Sequence, residues 1–72
     1  MNKVVVVKPK LTPILKERGL TQMELSEMSG VPQGTISRFD RNERHEANIL
    51  FSISRSLGIK IEELFEEVEQ EG

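Results

Sequence analysis

Apolar positions along the chain change their spacing from one segment to the next, and the spacing predicts the elements. Residues 2–8 hold four consecutive valines, Val4 to Val7. β-branched side chains are stiff at χ1 and favour extended backbone, so this run predicts a short strand. Pro9 ends it. Thr12 offers an N-cap and Pro13 a first helical residue, which predicts a first helix over 13–18 with Leu11, Ile14 and Leu15 inward and Gly19 as its left-handed stop. Thr21 with Glu24 three residues on is the capping-box pattern, and it predicts a second helix running to Ser29. Gly30 breaks that helix and Val31 anchors the turn. A third helix is predicted from Pro32 to Arg41, with Ile36 and Phe39 on its inner face and Asn42 as a left-handed stop. Ala47, Leu50, Ile53 and Leu57 recur at helical spacing and predict a fourth helix over 47–57, ended by Gly58. A fifth is predicted from Ile61, with Leu64, Phe65 and Val68 inward, fraying after Val68.

Length and charge refine this picture. Seventy-two residues suit one domain. A chain of this size buries only about 60% of the surface it exposes when unfolded, so a partner subunit would add core. The expected organisation is an N-terminal strand or arm over 1–10, a helix-turn-helix domain over 11–68 and an acidic tail over 69–72. The formal net charge of -2 is uneven. Six glutamates and no basic residue lie beyond Ile61, whereas residues 1–61 hold ten basic and six acidic side chains, a local +4. Charges act over about a Debye length of 8–10 Å, so a mildly basic body can meet an anion despite the acidic tail.

Cysteine is absent, which removes disulfides and thiolate metal sites and fits a cytoplasmic setting. The valine run is too short to span a bilayer, and no cleavage signal follows it. Enzyme chemistry finds no inventory. There is a single histidine, His45, read as a surface loop residue, and Ser52, Ser54 and Ser56 have no base at a readable spacing. No cofactor or metal is expected.

The informative stretch is Thr21-Gln22-Met23-Glu24-Leu25-Ser26 followed by Gly30-Val31-Pro32-Gln33-Gly34-Thr35-Ile36-Ser37-Arg38. Leu25, Val31 and Ile36 would hold two helices at a steep angle, Ser26 is small where they approach, and Gly30 permits the tight turn. This stretch, with the trailing Leu57-Gly58-Ile59 and Glu62-Glu63-Leu64-Phe65, resembles the phage repressor and Cro-type family, also called Xre-like. The resemblance covers residues 11–65. It implies an all-α, five-helix lambda-repressor-like bundle, here with a short N-terminal strand.

The resemblance further implies a sequence-specific transcriptional regulator, a repressor, that binds a short palindromic operator on double-stranded DNA as a homodimer. Cytoplasmic, nucleoid-associated localisation follows. By position, Gln22 resembles the glutamine that bonds a phosphate and braces the recognition helix. Gln33 resembles the base reader, and glutamine suits adenine. Ser37 and Arg38 lie one turn further along the same face, and Arg38 fits either guanine or a phosphate. Thr35, Arg41 and Arg44 resemble phosphate contacts. Gly34 stands where a base-reading side chain is common, so a contact is given up there. Ser26 replaces the usual alanine, and Met23 and Met28 stand at usually polar positions, as fillers or as a surface for a small protein partner. Two rivals remain: an antitoxin that also binds its own promoter, and an adaptor without DNA binding. Val4, Val5, Val6 and Val7 are the candidate dimerisation residues. Their strand pairs with its copy in a second subunit or, within the chain, with an extended segment after the fifth helix, or it lies along the first and fifth helices.

Overall fold

The computed structural model describes residues 4–68. Four α-helices and two strands follow one another as β1 (Val6–Pro9), α1 (Leu11–Arg18), α2 (Gln22–Ser29), α3 (Gln33–Arg38), α4 (Ala47–Leu57) and β2 (Phe65–Val68). Two 3₁₀ turns complete the trace: Phe39–Arg41 extends α3, and Ile61–Leu64 leads into β2. No helix among the described residues is long and apolar enough to cross a membrane.

The start of α1 departs from the sequence expectation. The helix begins at Leu11, Lys10 is its N-cap residue, and Thr12 lies inside the first turn. The capping group comes from a distant part of the chain. The backbone N–H groups of Leu11 and Thr12 donate to the two carboxylate oxygens of Asp40, each at 2.8 Å. A carboxylate suits this place because the first turn of a helix has free N–H groups and the positive end of the macrodipole. At the other end of α1, the Arg18 guanidinium donates to the carbonyl of Leu57 at 2.7 Å and ties α1 to the last turn of α4.

α2 forms as its local sequence dictates. Thr21 Oγ1 accepts from the Glu24 N–H at 3.0 Å, and Glu24 Oε1 accepts from the Thr21 N–H at 2.9 Å. Gly30 then takes φ 79°, a left-handed turn that a side chain resists. α3 is shorter than expected, because its last residues tighten into the 3₁₀ turn. Asn42 is extended, at φ -86° and ψ 141°, and is not the left-handed stop expected of it. α4 spans the residues that its periodicity predicts.

The predicted fifth helix does not form. Its residues divide into the 3₁₀ turn and β2, which pairs antiparallel with β1 in the register Val6↔Val68, Val7↔Glu67, Lys8↔Glu66 and Pro9↔Phe65. The Lys10 N–H continues the connection by donating to the Leu64 carbonyl at 2.9 Å. Two physical reasons favour this outcome. A run of glutamates at a helix C-terminus opposes the macrodipole. Strand β1 also needs a partner for its backbone groups, and a nearby extended segment supplies it. The fold is thus mostly helical, with four α-helices and a two-stranded ribbon.

Leu11, Leu15, Leu25, Val31, Ile36, Phe39, Ile53, Leu57 and Leu64 form the buried core, so every helix and the second 3₁₀ turn contribute to it. Ile14, Leu50 and Phe65 pack against its edge. Two of the residues that carried the helical spacing lie outside the core: Ala47 is exposed, and Val68 on β2 is 43% exposed. His45, expected as a surface residue, is half-buried. Its Nε2 lies 2.8 Å from the Phe39 carbonyl, and its ring stacks on Phe39 with centroids 4.2 Å apart. Phe65 of β2 closes this group, 6.0 Å from the Phe39 ring and 5.7 Å from the His45 ring. The ribbon is therefore seated on the end of α3.

Candidate nucleic-acid interface

α2 and α3 meet across the short connection Gly30-Val31-Pro32, which is held by the serines of α2. Ser26 Oγ donates to the Val31 carbonyl at 2.6 Å, and Ser29 Oγ accepts from the Val31 N–H at 3.1 Å. The valine side chain itself is buried. The N–H, the carbonyl and the side chain of Val31 are thus all satisfied, which fixes how α3 leaves α2. Ser26 in place of the usual alanine is more than a small residue in a tight space, because its hydroxyl closes the turn.

With Ile36 and Phe39 buried, the opposite face of α3 is set. Gln33, Gly34, Ser37 and Arg38 are all exposed on it. Ser37 Oγ donates to the Gly34 carbonyl at 3.0 Å, which engages its proton within the helix and keeps the oxygen available as an acceptor. The Arg38 guanidinium lies back over Gly34. Gly34 is therefore covered by another residue's side chain, where the sequence suggested only a missing contact.

The expected phosphate contacts separate into groups. Gln22 is the first residue of α2 and half-buried. Thr35 and Arg44 line one cleft together with Asn42, His45, Glu46 and Ile49. Arg41 lines an adjoining cleft with Val6, Lys8, Asp40 and Glu43, and Asn42 and His45 belong to both clefts. Sequence reasoning missed Asn42 as a member of the Thr35–Arg44 cleft. Its signal was present: a side-chain amide between two arginines, in the loop directly after the third helix.

A family model for the Cro/C1-type HTH DNA-binding domain matches residues 10–70. The chain belongs to this family. No curated protein and no solved structure is significantly similar to it. Within the matched span, α2 and α3 are the pair of helices joined by the three-residue turn Gly30-Val31-Pro32.

Other expected features sit as follows. Val4, Val5 and Val7 are 80%, 64% and 48% exposed, while Val6 is half-buried within β1. Val5 and Val7 share a groove with Ile61, Phe65, Glu62 and Glu67. Met23 and Met28 are exposed on α2. The hydroxyls of Ser52, Ser54 and Ser56 donate to carbonyls of their own helix, at Asn48, Phe51 and Ser52 respectively. Residues 69–72, the expected tail, lie outside the described residues.

Proposed function

We propose that this Cro/C1-type domain is a sequence-specific transcriptional repressor that binds a short palindromic operator as a homodimer. The observation that carries the reading is the exposed row Gln33, Ser37 and Arg38 on a helix whose other face is locked into the core by Ile36 and Phe39. A rigid helix that presents polar side chains outward is what base readout in a major groove requires. Gln33 reads adenine, Ser37 and Arg38 contact the neighbouring bases, and Gln22, Thr35, Arg41 and Arg44 hold phosphates. The functional unit is the domain over 11–68, and it works in the cytoplasm on the nucleoid.

Selection of bound sequences from a random duplex library tests the reading. Half-site centres about 34 Å apart are expected. Gln33→Ala should relax one base pair per half-site and leave the rest of the motif intact. Arg41→Ala should weaken all sequences alike and flatten the salt slope by about one for each phosphate no longer neutralised. A library that returns no enriched motif would end the proposal.

The dimer needs a revised geometry, because β1 pairs with β2 of its own chain. A second subunit is left the outer edge of β1 and the exposed face of the ribbon, and the dimer uses the face, with Val5, Val7 and the groove they share with Phe65 and Ile61. Exposed apolar side chains grouped in this way mark contact surfaces more often than isolated ones do. Val5→Lys with Val7→Lys should leave the fold intact and convert a dimer into a monomer, read as mass in solution at micromolar concentration. A dimer that survives both substitutions would place the interface elsewhere.

A further inference from the structure

Gly34 is an unexpected residue for the exposed face of a short helix, and none of the ordinary reasons for a glycine applies to it. The positive-φ glycines are Gly19, Gly30 and Gly58, so no left-handed backbone calls for glycine at position 34. The residue is exposed, so no tight core packing calls for it either. A Cβ built on Gly34 would meet, as its three nearest heavy atoms, Nη1 of Arg38 at 3.3 Å, Nη2 at 3.6 Å and Cζ at 3.8 Å. The space that a side chain would fill is taken by the guanidinium group one turn later.

Helix geometry explains how the two meet. Positions i and i+4 lie on one face, and long side chains lean toward the helix N-terminus. Arg38 therefore reaches back along α3 over Gly34. Ser37 Oγ bonds to the Gly34 carbonyl and flanks the same spot. A bare Cα lets a planar guanidinium lie close against the helix, with Nη1 and Nη2 as its nearest atoms. A side chain at position 34 would lift the group away or turn it aside.

We infer that Gly34 is a seat for the Arg38 guanidinium and so a specificity-determining position, and that Arg38, delivered to the N-terminal end of α3 beside Gln33, reads a guanine through its O6 and N7. This rests on the DNA-reading function proposed above. It deepens the assignment of Arg38 to a base by naming that base and the residue that positions the guanidinium. Gly34 is a positioning residue and acts only through Arg38.

The test is sequence selection followed by affinity measurements on the selected operator and on the same operator with its guanine replaced. The proteins are the full chain, Gly34→Ala, Arg38→Ala and the double variant. Arg38→Ala should lose about ten- to a hundredfold of the preference for that guanine, the size of one bidentate contact. Gly34→Ala should lose part of it, about three- to tenfold, while its melting temperature rises, because alanine is the better helix former. Stability and specificity moving in opposite directions is a result that a purely structural glycine would not give. In the Arg38→Ala background, Gly34→Ala should change the preference no further, since coupled residues are not additive. Three results would overturn the inference: a Gly34→Ala protein with undiminished guanine preference, an Arg38→Ala protein weakened equally on all sequences, or a double variant in which the two effects add. A full chain that selects a motif with any of these results refutes the seat alone. A full chain that selects nothing refutes the DNA reading as well.

Discussion

The helix-turn-helix and the β-ribbon are held by opposite kinds of contact. In α2, the turn and α3, the bonds that define the shape join residues close in sequence: Thr21 with Glu24, Ser26 with Val31, Ser29 with Val31. In the ribbon the partners are 56 to 62 positions apart, from Pro9↔Phe65 to Val6↔Val68. The first region carries its instructions in its own sequence and needs the core only to bury Leu25, Val31 and Ile36. The second has no local instruction beyond a run of valines, and it exists because the rest of the fold brings its two strands together. Phe39 joins them. It is buried at the end of α3 and stacks on His45 and Phe65, and the residue after it, Asp40, caps α1.

That junction is the place to break the comparison. Phe39→Ala removes a fully buried ring and should cost about 3–5 kcal/mol, a large part of the stability of so small a domain. Urea denaturation followed by circular dichroism should show one cooperative transition at a much lower midpoint. If the helices kept their midpoint and only the ribbon signal disappeared, the two regions would be independent and the junction unimportant.

A smaller effect is expected from Asp40. Asp40→Ala removes both acceptors from the first turn of α1 and should cost about 1–2 kcal/mol. Asp40→Asn keeps one acceptor oxygen and should cost less. Equal destabilisation by the two, read as thermal midpoints, would mean that the cap contributes through something other than its hydrogen bonds.

Ser26→Ala sharpens the comparison from the local side. Its hydroxyl is the donor to the Val31 carbonyl, and alanine leaves that carbonyl without this partner. The expected cost is about 0.5–1.5 kcal/mol, with DNA binding reduced through a less fixed α3. An alanine variant as stable as the parent would show that the turn is set by Gly30 and the burial of Val31 alone.

How much of this was legible depends on the range of the interactions. The capping box at Thr21 and Glu24, the Gly30 turn, the 47–57 span of α4 and the inward set Leu25, Val31, Ile36, Phe39, Ile53 and Leu57 were all readable, because each follows from spacing within a turn or two of chain. The row Gln33, Ser37 and Arg38 came from the family resemblance, and all three are exposed. The start of α1 was misread because Thr12 is a good cap in isolation, whereas the group that caps the helix lies 28 and 29 residues away. The aromatic contacts of His45 and the approach of the Arg38 guanidinium to Gly34 were invisible, since a loop residue and a glycine carry no periodic signal.

By itself the sequence determined that α2, the turn and α3 form, that α4 follows, and that a polar face of α3 points outward. Those outcomes rest on local hydrogen bonds and on hydrophobic spacing that any chain with these residues would express. Only the tertiary structure decided the fate of residues 61–68. Their glutamates and apolar positions suit a frayed helix when read alone, and an inward Leu64 fits either conformation. The deciding factor was the unpaired backbone of β1, whose N–H and C=O groups needed partners that only an extended Phe65–Val68 brought within reach. A cost of that kind has no address in the local sequence, because it belongs to a segment at the opposite end of the chain.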